Sequence, residues 1–307
     1  MSSIEKKVAE LRKLIEASGL DAQSEMAMLE EKVRLGSKAE KAWRQVELAR
    51  HPERPYSLDY IERIFGGFIE LHGDRAFADD PAIVGGLGFL GSRPVTVIAQ
   101  QKGRTLKENV RRNHGMANPE GYRKALRLAK AAEKFRRPIV PLVDTSGAYP
   151  GIGSEERGVA EAIARNLRDF SQLAVPIVCV VIGEGGSGGA LGICVGDRVY
   201  MLENAVYSVI SPEGCASILL RDASKAKDAA AMLRITSGDL LGFKIIDGII
   251  PEPEGGAQAD LDRVAGSIRE ALVRDIDMLC AKKPETLVRQ RNERLRKFGR
   301  WSEGAEG

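Results

Sequence analysis

The chain has 307 residues, 43% hydrophobic and 29% charged, which suits a globular protein with a large core and one or two domains. Forty-six basic residues are interspersed with 43 acidic ones for a net charge of +3, and aromatics make up only 5%, so no nucleic-acid partner is expected. Cys179, Cys194, Cys215 and Cys280 form no C-x-x-C pair, so no metal site is expected, and Cys179 reads as a small core residue. No apolar stretch follows the opening Met-Ser-Ser-Ile-Glu-Lys-Lys and no run is long enough to span a bilayer, so a reduced, cytoplasmic protein is expected.

Residues 3–50 read as helix, with Ile4, Val8, Leu11 and Leu14–Ile15 at helical spacing. Gly19 reads as a stop, a second helix covers 23–49, and His51-Pro-Glu-Arg-Pro55 ends it. Residues 59–71 read as a helix. Strands follow at 82–89 and 94–100, joined by a turn at Gly91-Ser92-Arg93. Asn118-Pro-Glu-Gly opens a helix to about residue 135, and strand 138–143 and a helix over 155–173 come next. Strand 176–182, a short helix near 187–195, strands near 198–202 and 205–209, and a helix opened by Ser211-Pro-Glu-Gly complete the series. This alternation predicts an α/β fold with buried parallel strands. Three spans are expected: an N-terminal helical hairpin (1–56), a core (57–256), and a C-terminal helical extension (257–307). The basic end of that extension (Arg289, Arg291, Arg294, Arg296, Lys297) reads as a solvated helix face.

Two glycine-rich loops carry the chemistry, each after a Pro-Ile-Val strand start: Asp144-Thr-Ser-Gly-Ala-Tyr-Pro-Gly151 and Gly183-Glu-Gly-Gly-Ser-Gly-Gly-Ala-Leu-Gly192. Glycine lets backbone N–H groups approach a ligand, and a helix start leaves N–H groups unpaired. Gly188 and Gly189, with Ala148 and Tyr149 after Gly147, are the expected donors of an oxyanion hole. Gly183-x-Gly185-x-x-Gly188 also matches a dinucleotide fingerprint, but only about ten residues reach the next strand, short for a parallel crossover. Gly185-x-Ser187-x-Gly189 matches a nucleophile elbow, but His51, His72 and His114 all precede Ser187, against the hydrolase order. Glu184 is expected to hydrogen-bond rather than act as a base. Gln101-Lys-Gly-Arg104 follows a strand end, and Arg104 is the candidate for clamping an anionic substrate. Gly147, Gly185, Gly186 and Ser187 are expected to line the substrate site beside it.

Leu71-His-Gly-Asp-Arg75, Asp79-Asp80-Pro-Ala-Ile-Val-Gly-Gly86, Gln101-Lys-Gly-Arg104, Pro119-Glu-Gly-Tyr-Arg-Lys-Ala125, both glycine loops, and Ser208-Val-Ile-Ser-Pro-Glu-Gly-Cys-Ala-Ser217 occur in order. Together they resemble the carboxyltransferase alpha subunits of bacterial acetyl-coenzyme A carboxylase, over about residues 40–257 and loosely at both ends. The resemblance implies a crotonase-like (ClpP/crotonase) superhelix of repeated ββα units. It implies transfer of a carboxyl group from carboxybiotin on the biotin carboxyl carrier protein to acetyl-CoA, giving malonyl-CoA, the first committed step of fatty acid biosynthesis. It implies a zinc-containing beta subunit, usually as α2β2, with ATP used by the biotin carboxylase. The family's hole for the biotin ureido oxygen maps onto Gly188–Gly189 and Gly147-Ala148-Tyr149. Ser146 stands where the family usually has proline, and Gly192 where alanine is more usual, which is expected to loosen the short helix. The competing readings are another crotonase-type CoA-thioester enzyme (hydratase, isomerase or decarboxylase) and a non-catalytic assembly subunit.

Overall fold

The computed structural model describes residues 3–18 and 23–299. The chain opens with α1 (Ser3–Ser18) and α2 (Gln23–Ala49), followed by α3 (Ser57–Ile64). The helix expected to reach residue 71 stops at Ile64, and Gly66–Glu70 forms strand β1 instead. Gly66 and Gly67 are poor helix formers, Gly67 takes φ +58°, and the segment gains a ladder by pairing with β2.

β2 (Ile83–Leu90) and β3 (Arg93–Gln100) form a hairpin turned at Gly91. Then come α4 (Leu106–Arg111), α5 (Pro119–Lys134), β4 (Ile139–Thr145), α6 (Ile152–Glu156) and α7 (Val159–Gln172). The helix expected over 155–173 is thus interrupted, at Gly158 in the left-handed region (φ 78°). β5 (Val178–Gly186) continues past the expected strand end into the second glycine loop, and α8 (Ser187–Leu191) follows. After β6 (Arg198–Leu202) and β7 (Val206–Ser208) come α9 (Pro212–Cys215), α10 (Ala226–Leu233), α11 (Ser237–Gly242), β8 (Gly248–Ile250), α12 (Leu261–Cys280) and α13 (Pro284–Leu295).

The sheet runs β1-β2-β3-β4-β5-β6-β8, with β7 pairing the far end of β5. β1, β2 and β3 are antiparallel neighbours, whereas β3 to β4, β4 to β5, β5 to β6 and β6 to β8 are all parallel. Every residue of β4 is buried, as a strand covered on both faces requires. The carboxyl ends of β3, β4 and β5 therefore lie side by side, and both glycine loops leave the same edge.

The described residues divide into two compact units, one up to Glu47 with Ile210–Ile235, the other from Leu48 to Val209 with Thr236 onward. The first has a small core of Cys215, Ala216 and Ala229 backed by Ile210, Leu220 and Leu233, and Arg12 pairs with Glu30 at 3.1 Å between α1 and α2. The second holds the sheet. This division differs from the spans expected at 56/57 and 256/257, because Val264, Ile268, Leu272, Ile276 and Leu279 of α12 and Leu287 of α13 share the main core. Arg291, expected on a solvated face, is 1% exposed. Its guanidinium donates to Asp197 (3.0 and 2.8 Å) and to the carbonyls of Phe170, Leu173 and Val175. Its periodicity reads as surface, but these open carbonyls at the end of α7 require a buried donor.

Candidate active site

The two glycine loops touch. A Cβ on Gly186 would collide with the Ser146 carbonyl, and one on Gly189 would lie 2.6 Å from the Ala148 nitrogen and 2.7 Å from the Gly147 oxygen. Only glycine allows backbone to approach backbone this closely. Gln100, fully buried at the end of β3, ties the pair together. Its side-chain Oε1 accepts from Asp144 N–H at 3.2 Å, and its side-chain Nε2 donates to the Gly189 carbonyl at 2.7 Å. The Tyr122 hydroxyl donates to the same carbonyl at 3.3 Å.

α8 begins at Ser187, so the N–H groups of Gly188 and Gly189 have no carbonyl one turn back within the helix. The Gly147–Ala148 peptide lies directly against Gly189. Gly147 faces open space, with nothing within 4 Å of a would-be Cβ, and Gly188 meets only Ile163 at 3.7 Å. One expected donor is withdrawn: Tyr149 N–H already donates to the Ala117 carbonyl at 3.0 Å. The chain turns after Ala148, which directs successive amides to different acceptors. Ala148, Gly188 and Gly189 remain as candidate donors.

Beside the loops lies a charged cluster of Arg50, Lys102, Asp144 and Glu184, whose partners are distant in sequence. Lys102 Nζ donates to Asp144 Oδ1 at 2.7 Å and Glu184 Oε2 at 3.1 Å, and Arg50 Nε donates to Glu184 Oε1 at 2.7 Å. Burial works to raise the Glu184 pKa, but the Lys102 and Arg50 charges outweigh it and hold the carboxyl below its usual range. Burial works to lower the Lys102 pKa, and the two carboxylates overcome it and push it up. Glu184 is thus a pinned carboxylate, consistent with the hydrogen-bonding role expected of it. Arg50, His51, Lys102, His114, Ser146 and Glu184 contribute to the wall of a cavity of about 240 Å³ beside the first loop.

A profile described as "Acetyl co-enzyme A carboxylase carboxyltransferase-like" matches residues 1–299. The chain is 59% identical to the acetyl-coenzyme A carboxylase carboxyl transferase subunit alpha of Treponema denticola, over 95% of this chain and 96% of that one. It is 52% identical to the same-named subunit of Geobacillus, over 97% and 93%. The chain belongs to this family. Among solved structures, the transcarboxylase 12S enzyme aligns with a TM-score of 0.58 at 23% identity, over 73% of this chain but only 41% of that one. A Pseudomonas malonate decarboxylase hetero-tetramer chain aligns at 0.60 and 16% identity, over 78% of this chain and 96% of that one. At these identities the likeness concerns the fold, which is crotonase-like as expected.

Within this family frame, the remaining expected residues separate into two groups. Arg104 does not stand free for an anion. It pairs with Asp59, donates to the Arg54 carbonyl at 2.8 Å and the Pro52 carbonyl at 3.3 Å, and stacks 4.1 Å above Tyr56. It clamps the connector before α3, where carbonyls without a sheet or helix partner need a donor. Gly185 makes room for the Tyr207 ring (2.7 Å from its would-be Cβ), and Gly186 for the first loop. Ser187 turns strand into helix at φ 48°, a strained conformation like a nucleophile elbow, but it is absent from the cavity wall that His51 and His114 share. Gly192, expected to loosen α8, lies against Tyr122, 2.7 Å from its would-be Cβ, so alanine would collide there.

The family-like motifs away from the loops are electrostatic staples. Lys124, fully buried, donates to the Asp80 carbonyl at 2.8 Å and to Asp79 Oδ1 at 2.6 Å. Arg123 donates to Asp74 at 2.8 Å, and Arg157 pairs with Glu120. Among the described residues, no helix is long and apolar enough to cross a membrane, and no group of three or more His, Cys, Asp or Glu could hold a metal ion.

Proposed function

We propose that this chain is the alpha subunit of an acetyl-CoA carboxylase carboxyltransferase, and that the Ala148, Gly188 and Gly189 amides form its hole for the biotin ureido oxygen. The curated relatives that match nearly end to end carry that subunit's name, which supports the enzyme class. The single observation behind the site is the backbone-on-backbone contact of Gly189 with Gly147–Ala148. It brings amides from two loops together beside open space. Preset donors of this kind are typically worth about 10²–10³ in kcat each.

The donor set fits a urea carbonyl: neutral N–H groups, room at Gly147 and Gly188, and no need for a metal ion to balance one developing charge. Carboxybiotin on its carrier would supply the carboxyl group, and the Ala148, Gly188 and Gly189 amides would hold its ureido oxygen. The chain's part would be to stabilise negative charge on that oxygen with amides that need no reorganisation. Ala148 and Gly188 line the approach, and Gly147 keeps it open. Glu184, held by Lys102 and Arg50, shapes the floor rather than taking a proton. Gly185 and Gly186 support the loop backbone and Arg104 holds the connector before α3, so these three residues serve the frame of the site rather than the substrate.

The remaining expectations form part of the same proposal. Acetyl-CoA is the acceptor and malonyl-CoA the product. A zinc-containing beta subunit supplies the thioester side in an α2β2 assembly. The biotin carboxyl carrier protein delivers the group, and the biotin carboxylase consumes ATP. Mixing this chain with a zinc-containing beta subunit, and supplying acetyl-CoA and carboxybiotin on its carrier protein, tests the reading by size exclusion and a malonyl-CoA assay. Co-elution, with malonyl-CoA formed only by the mixture, is expected. CoA-thioester turnover by this chain alone would favour a stand-alone crotonase-type enzyme, and co-elution without product would favour an assembly role. Either result overturns the proposal.

A further inference from the structure

One lysine joins the ends of three parallel strands under the glycine loops. Lys102 lies two residues past β3, Asp144 is the penultimate residue of β4, and Glu184 lies in β5 just before Gly185 and Gly186. The β4–β5 register breaks at this level: Val143 faces Val181, but Thr145 faces Gly185. Two steps along β4 thus match four along β5, and the slack admits a side chain between the strands. Asp144 fills it, with its carboxyl carbon 2.7 Å from where a Cβ on Gly183 would sit. Its Oδ1 accepts from Lys102 Nζ at 2.7 Å and from Glu184 N–H at 3.0 Å.

We propose that Lys102 is a positioning residue for carboxyl transfer, bridging Asp144 and Glu184 across the broken register and so setting the spacing of the two glycine loops. This rests on the oxyanion-hole reading above. Two carboxylates converge on the ammonium, whose charge-assisted hydrogen bonds to both hold the strand ends together, and without that bridge the ends are freer to part. At a register break few ladder bonds resist that separation. Thr145 and Gly185, the next paired residues, lead directly into the loops that carry Ala148 and Gly188–Gly189. Gln100 fixes the same geometry from the neutral side, through Asp144 N–H and the Gly189 carbonyl. Arg50 balances the second oxygen of Glu184, so the cluster holds two cations and two carboxylates.

The test uses the reconstituted complex of this chain with the beta subunit, supplied with acetyl-CoA and carboxybiotin on its carrier protein. Lys102→Met leaves Asp144 buried without its cation, so it is paired with the double variant Lys102→Met/Asp144→Asn. In the double variant the asparagine oxygen still accepts from Glu184 N–H, Glu184 keeps Arg50, and no buried charge lacks a partner. A loss of about 10²-fold in kcat is expected in both, from loops misplaced by about 1 Å. KM for acetyl-CoA should stay within about twofold, and Lys102→Arg should recover most of the loss. A purely structural role would lower the unfolding midpoint of Lys102→Met and leave the double variant's kcat within about threefold of wild type, which would overturn the proposal. A loss carried by KM for acetyl-CoA would also overturn it. Gly189→Ala, measured alongside, separates this proposal from the one beneath it. If Gly189→Ala lowers kcat and the Lys102 variants do not, the brace fails and the hole stands. If Gly189→Ala changes nothing while the Lys102 variants lose kcat, Lys102 acts by another route and both readings fall.

Discussion

Gly189→Ala is the sharpest probe of the loop contact. The added methyl would press on the Gly147 carbonyl carbon, 2.6 Å from the Ala148 nitrogen and 2.7 Å from the Gly147 oxygen. All three neighbours are backbone, so no side chain can rotate away. Ordinary contact at about 3.5 Å requires the loops to part by about 1 Å. Misplacement on that scale costs about 10²-fold in rate, equivalent to about 3 kcal/mol of transition-state stabilisation. The overpacked contact itself should cost about 1–3 kcal/mol of stability. Malonyl-CoA formation by the reconstituted complex reads the first, and urea unfolding of this chain reads the second. Gly238→Ala in α11 is the control, since its Cβ would meet nothing within 4 Å and kcat should not change. If kcat of the folded Gly189→Ala complex stays within about threefold of wild type, the glycine serves only to turn the chain, and the amide-hole argument is refuted.

Arg291→Ala should lower the unfolding free energy by about 3–5 kcal/mol, because it leaves the buried Asp197 without its cation and the Leu173 and Val175 carbonyls without their donor. A change below about 0.5 kcal/mol in urea titration would restore the solvated-face reading. For pH, the folded pKa of Glu184 lies below its usual 4.5, so the stability it contributes is present above 4.5 and lost as pH falls through the folded value. The Tm gap between wild type and Glu184→Gln should therefore be steady from about pH 5 to about pH 9 and shrink in acid. A gap that instead closes between about pH 6 and about pH 8 would mean a raised pKa and would revive Glu184 as a base.

The sequence alone revealed the alternation of strands and helices, the apolar 138–143 run, the glycine loops and the family, because periodicity and local turn chemistry are properties of neighbouring residues. It misjudged positions whose role is set by distant parts of the chain. β1 reads as helix until β2 offers it a ladder. Arg291 reads as surface until the open carbonyls beyond α7 surround it. Arg104 reads as an anion clamp until the 52–59 connector takes up its guanidinium. Tyr149 reads as a donor until Ala117 accepts its N–H. Lys102 lies in the Gln101-Lys-Gly-Arg104 motif, but its role has no local signal, since its two carboxylates are 42 and 82 residues away. Tertiary structure alone decided which amides remain available and what holds them in place, because a hydrogen bond is assigned by proximity in space, and proximity here follows from the parallel order of β3, β4 and β5.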